Sequence, residues 1–281
     1  MSKFSLSRAC LLTGVFALAA AFSTQALAQA GYTPKFQKSP FGWEHPFGNV
    51  FPAVPGSALP VWNDPTHPHF NNEMARINKT QSNYWIADLT NPNLTDWAKA
   101  QMKKDNDEVL KGKIAFTPGQ GCTPYGVPYF SLAQGPVIFI ETPKKITLVE
   151  ESSQTVRQIF MNEQHPADLK PSTHGHSIGH YEGDTLVVDT AGISTKSFID
   201  PFRTPHSDKL RVVERYRVVD GGHLMEVKLK IEDPVAFVQP WETMVRYRPA
   251  DTAFGEIICQ EGNLILFTDE YGVPRADKPD F

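Results

Sequence analysis

The sequence predicts a mainly β protein whose strands form a closed, antiparallel, up-and-down barrel. Two observations indicate this fold. From residue 128 to about 260, short segments of alternating apolar and polar residues are separated by turn residues, and no long helical pattern interrupts them. Two tight turns, at Gly183 and at Gly221-Gly222, make the strands on either side of them antiparallel. A parallel α/β sheet is thereby excluded.

Eight to ten strands of this kind are typical of a lipocalin-like barrel, and a two-sheet sandwich is the second alternative. The predicted strands are 128–133, 136–141, 145–150, 155–161, 175–182, 184–192, 210–219, 223–232, 241–248 and 254–260. They define a barrel domain over residues 122–267, and the polar segment 268–281 is expected to be a loose tail.

The first 28 residues have the features of a cleaved secretory signal. Lys3 and Arg8 precede an apolar segment, Leu11 to Phe22, and Ala26-Leu27-Ala28 supplies small residues for cleavage. The apolar segment is too short to span a membrane, so no integral membrane span is expected in the mature chain. We therefore expect a periplasmic or secreted protein.

Residues 29–121 are predicted to form an irregular N-terminal arm with one helix. Proline, asparagine and aromatic residues are frequent in its first part, where turn signals are dense. A helix is predicted at about 95–111, since Thr95 can cap its N-terminus, Asp96 suits its positive end and Gly112 can end it.

Charge and motifs exclude several classes of function. The whole chain has a net charge of −4, and the loss of Lys3 and Arg8 with the signal, which carries no acidic residue, moves it to about −6. Nucleic acid is not an expected partner, because binding to phosphates requires clustered positive charge. The sequence has no serine-nucleophile elbow, phosphate-binding glycine loop or dinucleotide fingerprint, so no cofactor is expected.

Two cysteines remain after removal of the signal, Cys122 and Cys259. An even number of cysteines in an oxidising compartment favours a disulfide between them. Two separate buried thiols are the alternative.

The predicted hairpin 210–233 places a carboxylate in an apolar row. With Gly221-Gly222 as its loop, Asp220 pairs with His223, and side chains then alternate between a core face and a solvent face. The core face holds Leu210, Val212, Glu214, Tyr216 and Val218 opposite Met225, Val227, Leu229 and Ile231. A buried charge is costly, so Glu214 needs a partner, a proton or a water-filled cavity.

A second predicted hairpin, 175–192, gathers histidines and carboxylates on one face. That face holds His176, Ile178, His180, Glu182, Thr185, Val187 and Asp189. Three interpretations remain open. The face lies in solvent, or it faces a cavity beside Glu214 where Asp189 orients an imidazole, or it binds a metal ion through His174, His176 and His180.

The remaining candidate residues lie in the loop 204–208 and on the strands around Glu214. His206 follows Pro205 in a turn and is expected either to be satisfied locally or to lie over the mouth of the barrel. The candidate ligand contacts are Tyr216, Trp241, Tyr247 and His176.

Several motifs together resemble a family of exported bacterial proteins that are usually left as hypothetical. These are His180-Tyr-Glu-Gly-Asp-Thr-Leu-Val-Val-Asp-Thr190, Thr204-Pro-His206, Glu214-Arg215, Asp233-Pro234, Pro240-Trp241, Cys122-Thr-Pro-Tyr-Gly-Val-Pro128 and Trp97-Ala98. The resemblance implies no reaction. Relatives often lack the histidines found here at 174 and 176, which favours Glu214, His180 and His206 as site residues.

The leading hypothesis is an exported enzyme that acts on a small, partly apolar molecule inside the barrel. Glu214 would be the general acid or base, with His180 or His206 as its partner and Asp189 orienting the imidazole. The chemistry would be that of a cofactor-independent lyase, hydratase, isomerase or hydrolase. The alternatives are a lipocalin-like binding protein without catalysis, a metal-binding protein, and a structural envelope protein in which Glu214 pairs with an inward arginine such as Arg157.

Overall fold

The computed structural model describes residues 32–37, 39–45, 51–52, 54, 87, 89–111, 122–133, 135–153 and 155–255. The chain divides into two units, Met1–Pro34 and Lys35–Phe281, and the barrel belongs to the second. The predicted signal, 1–28, and the predicted tail, 268–281, lie outside the described residues. Among those residues, no helix has the length and apolar character needed to cross a membrane.

The predicted barrel is confirmed: in the described residues, nine strands pair in chain order and close into one sheet. The strands are β1 (Trp43–Glu44), β2 (Val137–Glu141), β3 (Lys145–Glu150), β4 (Thr155–Met161), β5 (His176–Glu182), β6 (Thr185–Ala191), β7 (Arg211–Val219), β8 (Leu224–Glu232) and β9 (Trp241–Pro249).

Closure depends on β1, a two-residue strand that the sequence did not predict. Trp43 pairs with Val137 of β2 on one side and with Pro249 of β9 on the other. A strand this short has no measurable period, which is why alternation along the sequence does not reveal it.

One pair of neighbouring strands is parallel, so the prediction of a purely antiparallel barrel is wrong at this point. Ile159 and Met161 of β4 lie beside Ser177 and Gly179 of β5 in parallel register. The connection 162–175 is long enough to return the chain to the start of the next strand, as parallel pairing requires.

The segment predicted as a strand at 128–133 is instead a short 3-10 turn, Tyr129–Leu132. All four of its residues are buried, and Phe130 and Leu132 belong to the hydrophobic core. The apolar character of this segment therefore reflects insertion into the core and not strand pairing. The last predicted strand, 254–260, lies almost wholly outside the described residues, and residues 254–255 are not in a strand.

The predicted helix is confirmed as α1, Asp96–Leu110. The Thr95 side chain caps it by accepting a hydrogen bond of 3.3 Å from the backbone N–H of Ala98. Ala98, Met102 and Val109 are its buried apolar residues.

The predicted register of the β7–β8 hairpin is confirmed over the whole length of both strands. Glu214 lies opposite Leu229, and the last pair before the loop is Val219 with Leu224. Asp220 and Gly221 adopt positive φ values of 50° and 63°, a conformation that glycine tolerates best. Because the register is as predicted, Glu214 faces the core.

Candidate functional site

The centre of the candidate site is an ion pair inside the barrel, between Arg157 of β4 and Glu214 of β7. The side chains are 1 % and 0 % exposed. Nη1 of Arg157 donates to Oε1 of Glu214 at 3.0 Å, and Nη2 donates to Oε2 in a second, shorter hydrogen bond. This two-pronged geometry is the strongest way for a guanidinium to bind a carboxylate.

The Glu214 carboxylate has two further donors. The hydroxyl of Tyr216 donates to Oε1 at 2.7 Å, and that of Ser131, in the 3-10 turn, donates to the same oxygen at 3.3 Å. No histidine of the described residues is among its hydrogen-bond partners. Glu214 was predicted to need a partner, a proton or a water-filled cavity. Its partners are an arginine and two hydroxyl groups.

The Arg157 guanidinium is also bound by hydroxyl groups of the β5–β6 hairpin. Nε and Nη2 donate to Oγ of Ser177 at 3.3 and 3.1 Å, and Nη2 donates to Oγ1 of Thr190 at 3.0 Å. Ser177 and Thr190 lie opposite each other in the hairpin, and their oxygens are 2.9 Å apart. All three nitrogens of the guanidinium are therefore engaged by side chains of the barrel.

The charges of this network are fixed by its environment. Burial alone would lower the pKa of Arg157, but the Glu214 charge and its hydrogen bonds raise that pKa above the ordinary value. Burial and the same carboxylate raise the pKa of Tyr216 well above its ordinary value. At neutral pH, Arg157 is charged and Tyr216 keeps its proton.

The 3-10 turn Tyr129–Leu132 is held against this network. The hydroxyl of Tyr247 donates to the backbone carbonyl of Ser131 at 2.7 Å, and Cζ of Arg157 lies 5.7 Å from the centre of the Phe130 ring. The cation and the ring are close enough to attract each other. The turn therefore packs against the ion pair inside the barrel.

His174 lies close to this network, and its polar atoms are unsatisfied within the part of the chain that the structure describes. Its ring meets Phe130 edge-on, with centroids 5.7 Å apart, and neither ring nitrogen has a hydrogen-bond partner among the described residues, although both are buried. Burial and the positive charge of Arg157 lower the pKa of His174 to about 4, although Glu214 opposes the shift. The imidazole is therefore neutral at neutral pH.

The polar face of the β5–β6 hairpin points outward, so the predicted partnership between Glu214 and His180 is not formed. His180 is exposed and lies 3.2 Å from Glu182, and Asp189 binds the guanidinium of Arg211. The inward face is the one that carries Ser177, Thr190 and the apolar residues Leu186 and Val188. The physical reason is that this face can be buried at lower cost than a face of charged groups.

His206 is buried, and Glu214 is not among its hydrogen-bond partners in the described residues. Its Nε2 is 3.0 Å from Oγ of Ser197, and its Nδ1 is 3.0 Å from the carbonyl of Ser207. Burial lowers its pKa, against a smaller opposing effect of these hydrogen bonds and of Asp233. His206 is therefore a turn histidine whose ring nitrogens are satisfied locally, which is one of the two predicted alternatives.

The predicted ligand contacts divide into core residues and a surface residue. Trp241 lies between the rings of Phe51 and Phe237, at 5.9 and 5.6 Å, and is therefore a packing residue of the core. Tyr216 and Tyr247 are buried at the ion pair. His176 faces outward and stacks on Phe160, with ring centroids 5.1 Å apart.

The three histidines of the predicted metal alternative do not converge. His174 packs on the interior ring of Phe130, whereas His176 stacks on the outer Phe160 and His180 is exposed. Within the described ranges, no group of three or more His, Cys, Asp or Glu side chains is placed to hold a metal ion. Cys259 lies outside the described residues, so its disulfide with Cys122 stays a prediction.

The sequence missed Ser131 and the interior position of His174. Ser131 lies in the segment predicted as a strand, and its contact with Glu214 depends on the 3-10 turn that forms there instead. His174 lies in the turn before β5, where the alternation of a strand does not apply, so its face was wrongly assigned. Ser177 and Thr190 were recoverable, because the register of the predicted hairpin places both on the Leu186 and Val188 face.

The chain matches no protein-family model, no curated protein and no solved structure. The resemblance to exported bacterial proteins therefore stays a prediction from the motifs.

Proposed function

We propose that this chain is an exported barrel protein that binds a small, uncharged and partly apolar molecule beside the Arg157–Glu214 ion pair, without catalysis. The single observation that carries the proposal is His174, whose two ring nitrogens are buried without a hydrogen-bond partner in the described residues. A buried polar group without a partner costs about 1–3 kcal/mol. A bound molecule that satisfies both nitrogens removes that cost.

The chemistry of His174 defines what the ligand must offer. A neutral imidazole has one N–H donor and one nitrogen acceptor, so the ligand must supply an acceptor and a donor. The ring of Phe130, which contacts the imidazole of His174 edge-on, provides an apolar surface next to it. These features suit a molecule with an apolar body and a hydroxyl or amide group.

The charges around His174 favour a ligand without net charge. Arg157 is committed to Glu214, Ser177 and Thr190, so its charge is compensated within the protein. An anionic or cationic ligand would be buried against a pair that is already neutral, and it would lose its hydration without gaining a counter-ion.

Binding is better supported than acid–base catalysis by Glu214. A general base must reach the proton that it removes, with an oxygen available to receive it. Both oxygens of Glu214 already accept hydrogen bonds from Arg157, and Oε1 accepts two more from Tyr216 and Ser131. The low pKa of His174 also makes this imidazole a weak base.

Export is part of the proposal and is supported by the sequence of residues 1–28, with its charged start, apolar segment and small-residue cleavage site. The expected disulfide between Cys122 and Cys259 is consistent with an oxidising compartment.

The proposal is tested with 1-aminoanthracene, an uncharged fluorescent probe with an amino group, titrated into the mature protein. We expect saturable binding to one site, and an affinity at least tenfold lower in His174→Phe, because phenylalanine keeps the ring and removes both nitrogens. His180→Ala, on the exposed face, is the control and should bind as the unchanged protein does. The absence of saturable binding, or equal binding by His174→Phe, would show that His174 does not form a ligand site.

A further inference from the structure

A pair of histidines lies on the outer surface of the barrel, apart from the interior network. His176 of β5 and His165 of the connection 162–175 approach through their Nδ1 atoms, which are 2.9 Å apart. Their rings meet edge to face, with an angle of 67° between their planes, and the ring of His176 is also stacked on Phe160. Packing therefore fixes the direction in which His176 presents its Nδ1 atom.

The far side of His165 faces a carboxylate that is itself held in place. Nε2 of His165 is buried, has no hydrogen-bond partner among the described residues and lies 3.9 Å from Oδ2 of Asp189. Asp189 is fixed by Arg211, which donates to its two oxygens at 2.9 and 2.6 Å. At 3.9 Å from Nε2, Asp189 acts on the ring through its negative charge, which favours a proton on Nε2 and leaves Nδ1 of His165 unprotonated and able to bind a metal ion.

We propose that His165 and His176 bind one Cu²⁺ ion through their Nδ1 atoms, with Asp189 as a positioning residue. Two nitrogens 2.9 Å apart, each about 2.0–2.1 Å from one ion, subtend an angle of about 90° at that ion. This is the angle between adjacent ligands in the square-planar or tetragonal geometry that Cu²⁺ prefers. A tetrahedral Zn²⁺ ion would need the two nitrogens about 3.3 Å apart.

The protein supplies two ligands, and water completes the coordination. In the described residues, no group of three or more potential ligand side chains is placed around an ion. Glu163, which is exposed and acts electrostatically on His176, adds negative charge near the site. This charge favours a divalent cation.

Binding requires a change of tautomer but no net loss of a proton. Without metal, one hydrogen lies between the two Nδ1 atoms. If His165 keeps its proton on Nε2, toward Asp189, this shared hydrogen belongs to His176. With Cu²⁺ bound, that proton moves to Nε2 of His176, and both Nδ1 lone pairs face the ion.

The test uses the untagged mature chain, freed of metal by a chelator and titrated with Cu²⁺ in a calorimeter. We expect one Cu²⁺ ion per chain, and an electron paramagnetic resonance spectrum with coupling to two nitrogens. His165→Ala and His176→Ala should each lower the affinity at least tenfold. His180→Ala, on the same strand, and His223→Ala, in the β7–β8 loop, are the matched controls and should leave affinity unchanged.

The positioning role is tested separately with Asp189→Asn, which keeps both nitrogen ligands. We expect it to lower the affinity for Cu²⁺ about tenfold or more, as the loss of an outer-shell partner does. The proposal is overturned if the unchanged chain binds no more Cu²⁺ than a His165→Ala/His176→Ala double variant, or if His180→Ala weakens binding as much as His176→Ala. If His176→Ala fails to fold, His165→Ala alone decides the outcome, because His165 lies outside the strands.

Discussion

The guanidinium of Arg157 and the carboxylate of Glu214 form an ion pair across the interior of the barrel, although two strands separate β4 from β7 in the sheet. Both side chains are completely satisfied by hydrogen bonds, and together they carry no net charge. The pair joins two walls of the barrel and the 3-10 turn through Ser131. It accounts for the one carboxylate in the apolar row of the β7–β8 hairpin.

Breaking this pair should destabilise the protein far more than breaking an exposed one. Arg157→Met leaves Glu214 buried without a counter-ion, and we expect a loss of about 3–5 kcal/mol in the free energy of unfolding. The control is Arg246→Ala, which removes the partner of Glu226 on the outer surface, with an expected cost of at most about 1 kcal/mol. Urea unfolding measures both.

The double variant Arg157→Met/Glu214→Gln distinguishes charge from packing. Glutamine keeps an acceptor for Tyr216 and Ser131 but removes the charge, so the double variant should be more stable than Arg157→Met alone. If the two single losses simply add, the cost of Arg157→Met comes from lost packing and not from the uncompensated carboxylate.

The neutral state of His174 predicts a dependence of stability on pH. Its pKa is about 4 in the folded chain and about 6.5 when unfolded, so between these values the unfolded state binds more protons. Stability therefore falls as the pH decreases from about 6.5 to about 4, with a slope of at most about 1.4 kcal/mol per pH unit from this group.

His174→Phe should remove this contribution. It also removes two buried polar atoms without partners, so the variant should be at least as stable as the unchanged chain at pH 7 and clearly more stable at pH 4.5. His206, whose pKa is also lowered, is present in both proteins and cancels in the difference. Denaturant unfolding at several pH values measures the difference in the free energy of unfolding between the variant and the unchanged chain. A difference that stays constant with pH would contradict the neutral, buried state of His174.

The predicted disulfide between Cys122 and Cys259 can be tested by counting the thiols of the mature chain before and after reduction. In the mature chain produced by export, we expect no reactive thiol under denaturing conditions and two after reduction. A loop of more than a hundred residues closed by a disulfide stabilises a protein by about 4–5 kcal/mol at most in chain-entropy models. Cys122→Ser should lower the free energy of unfolding toward that of the reduced chain. Two alkylated cysteines without reduction would favour the alternative of separate thiols.

Local signals predicted much of the fold because they act between residues close in sequence. The Gly221-Gly222 loop and the alternation on either side of it define the whole β7–β8 register, and Thr95 with Asp96 defines the start of α1. Glu214 was recognisable as a buried carboxylate for the same reason. Its partner was named only as one alternative, because the distance between Arg157 and Glu214 depends on how the sheet closes.

The parallel pairing of β4 with β5 requires a residue without a side chain at position 179, and mutation of Gly179 tests this requirement. A Cβ atom at this position would lie 2.7 Å from Cγ2 of Ile159, closer than side-chain atoms can approach. Gly179→Ala should therefore push the two strands apart and cost about 1–3 kcal/mol, as overpacking in a core does. Thermal unfolding measures the loss.

Gly183 offers the matched comparison, because it also lies in the β5–β6 hairpin but meets no atom within 4 Å. Its only requirement is a φ of 60°, which asparagine tolerates. Gly183→Asn should therefore cost less than Gly179→Ala. Ile159→Ala removes the Cγ2 atom that a Cβ at residue 179 would meet. In the Ile159→Ala background, Gly179→Ala should therefore cost less than it does in the unchanged chain. An unchanged penalty would mean that the conflict at Gly179 is with Sδ of Met161, at 3.1 Å, and not with Ile159.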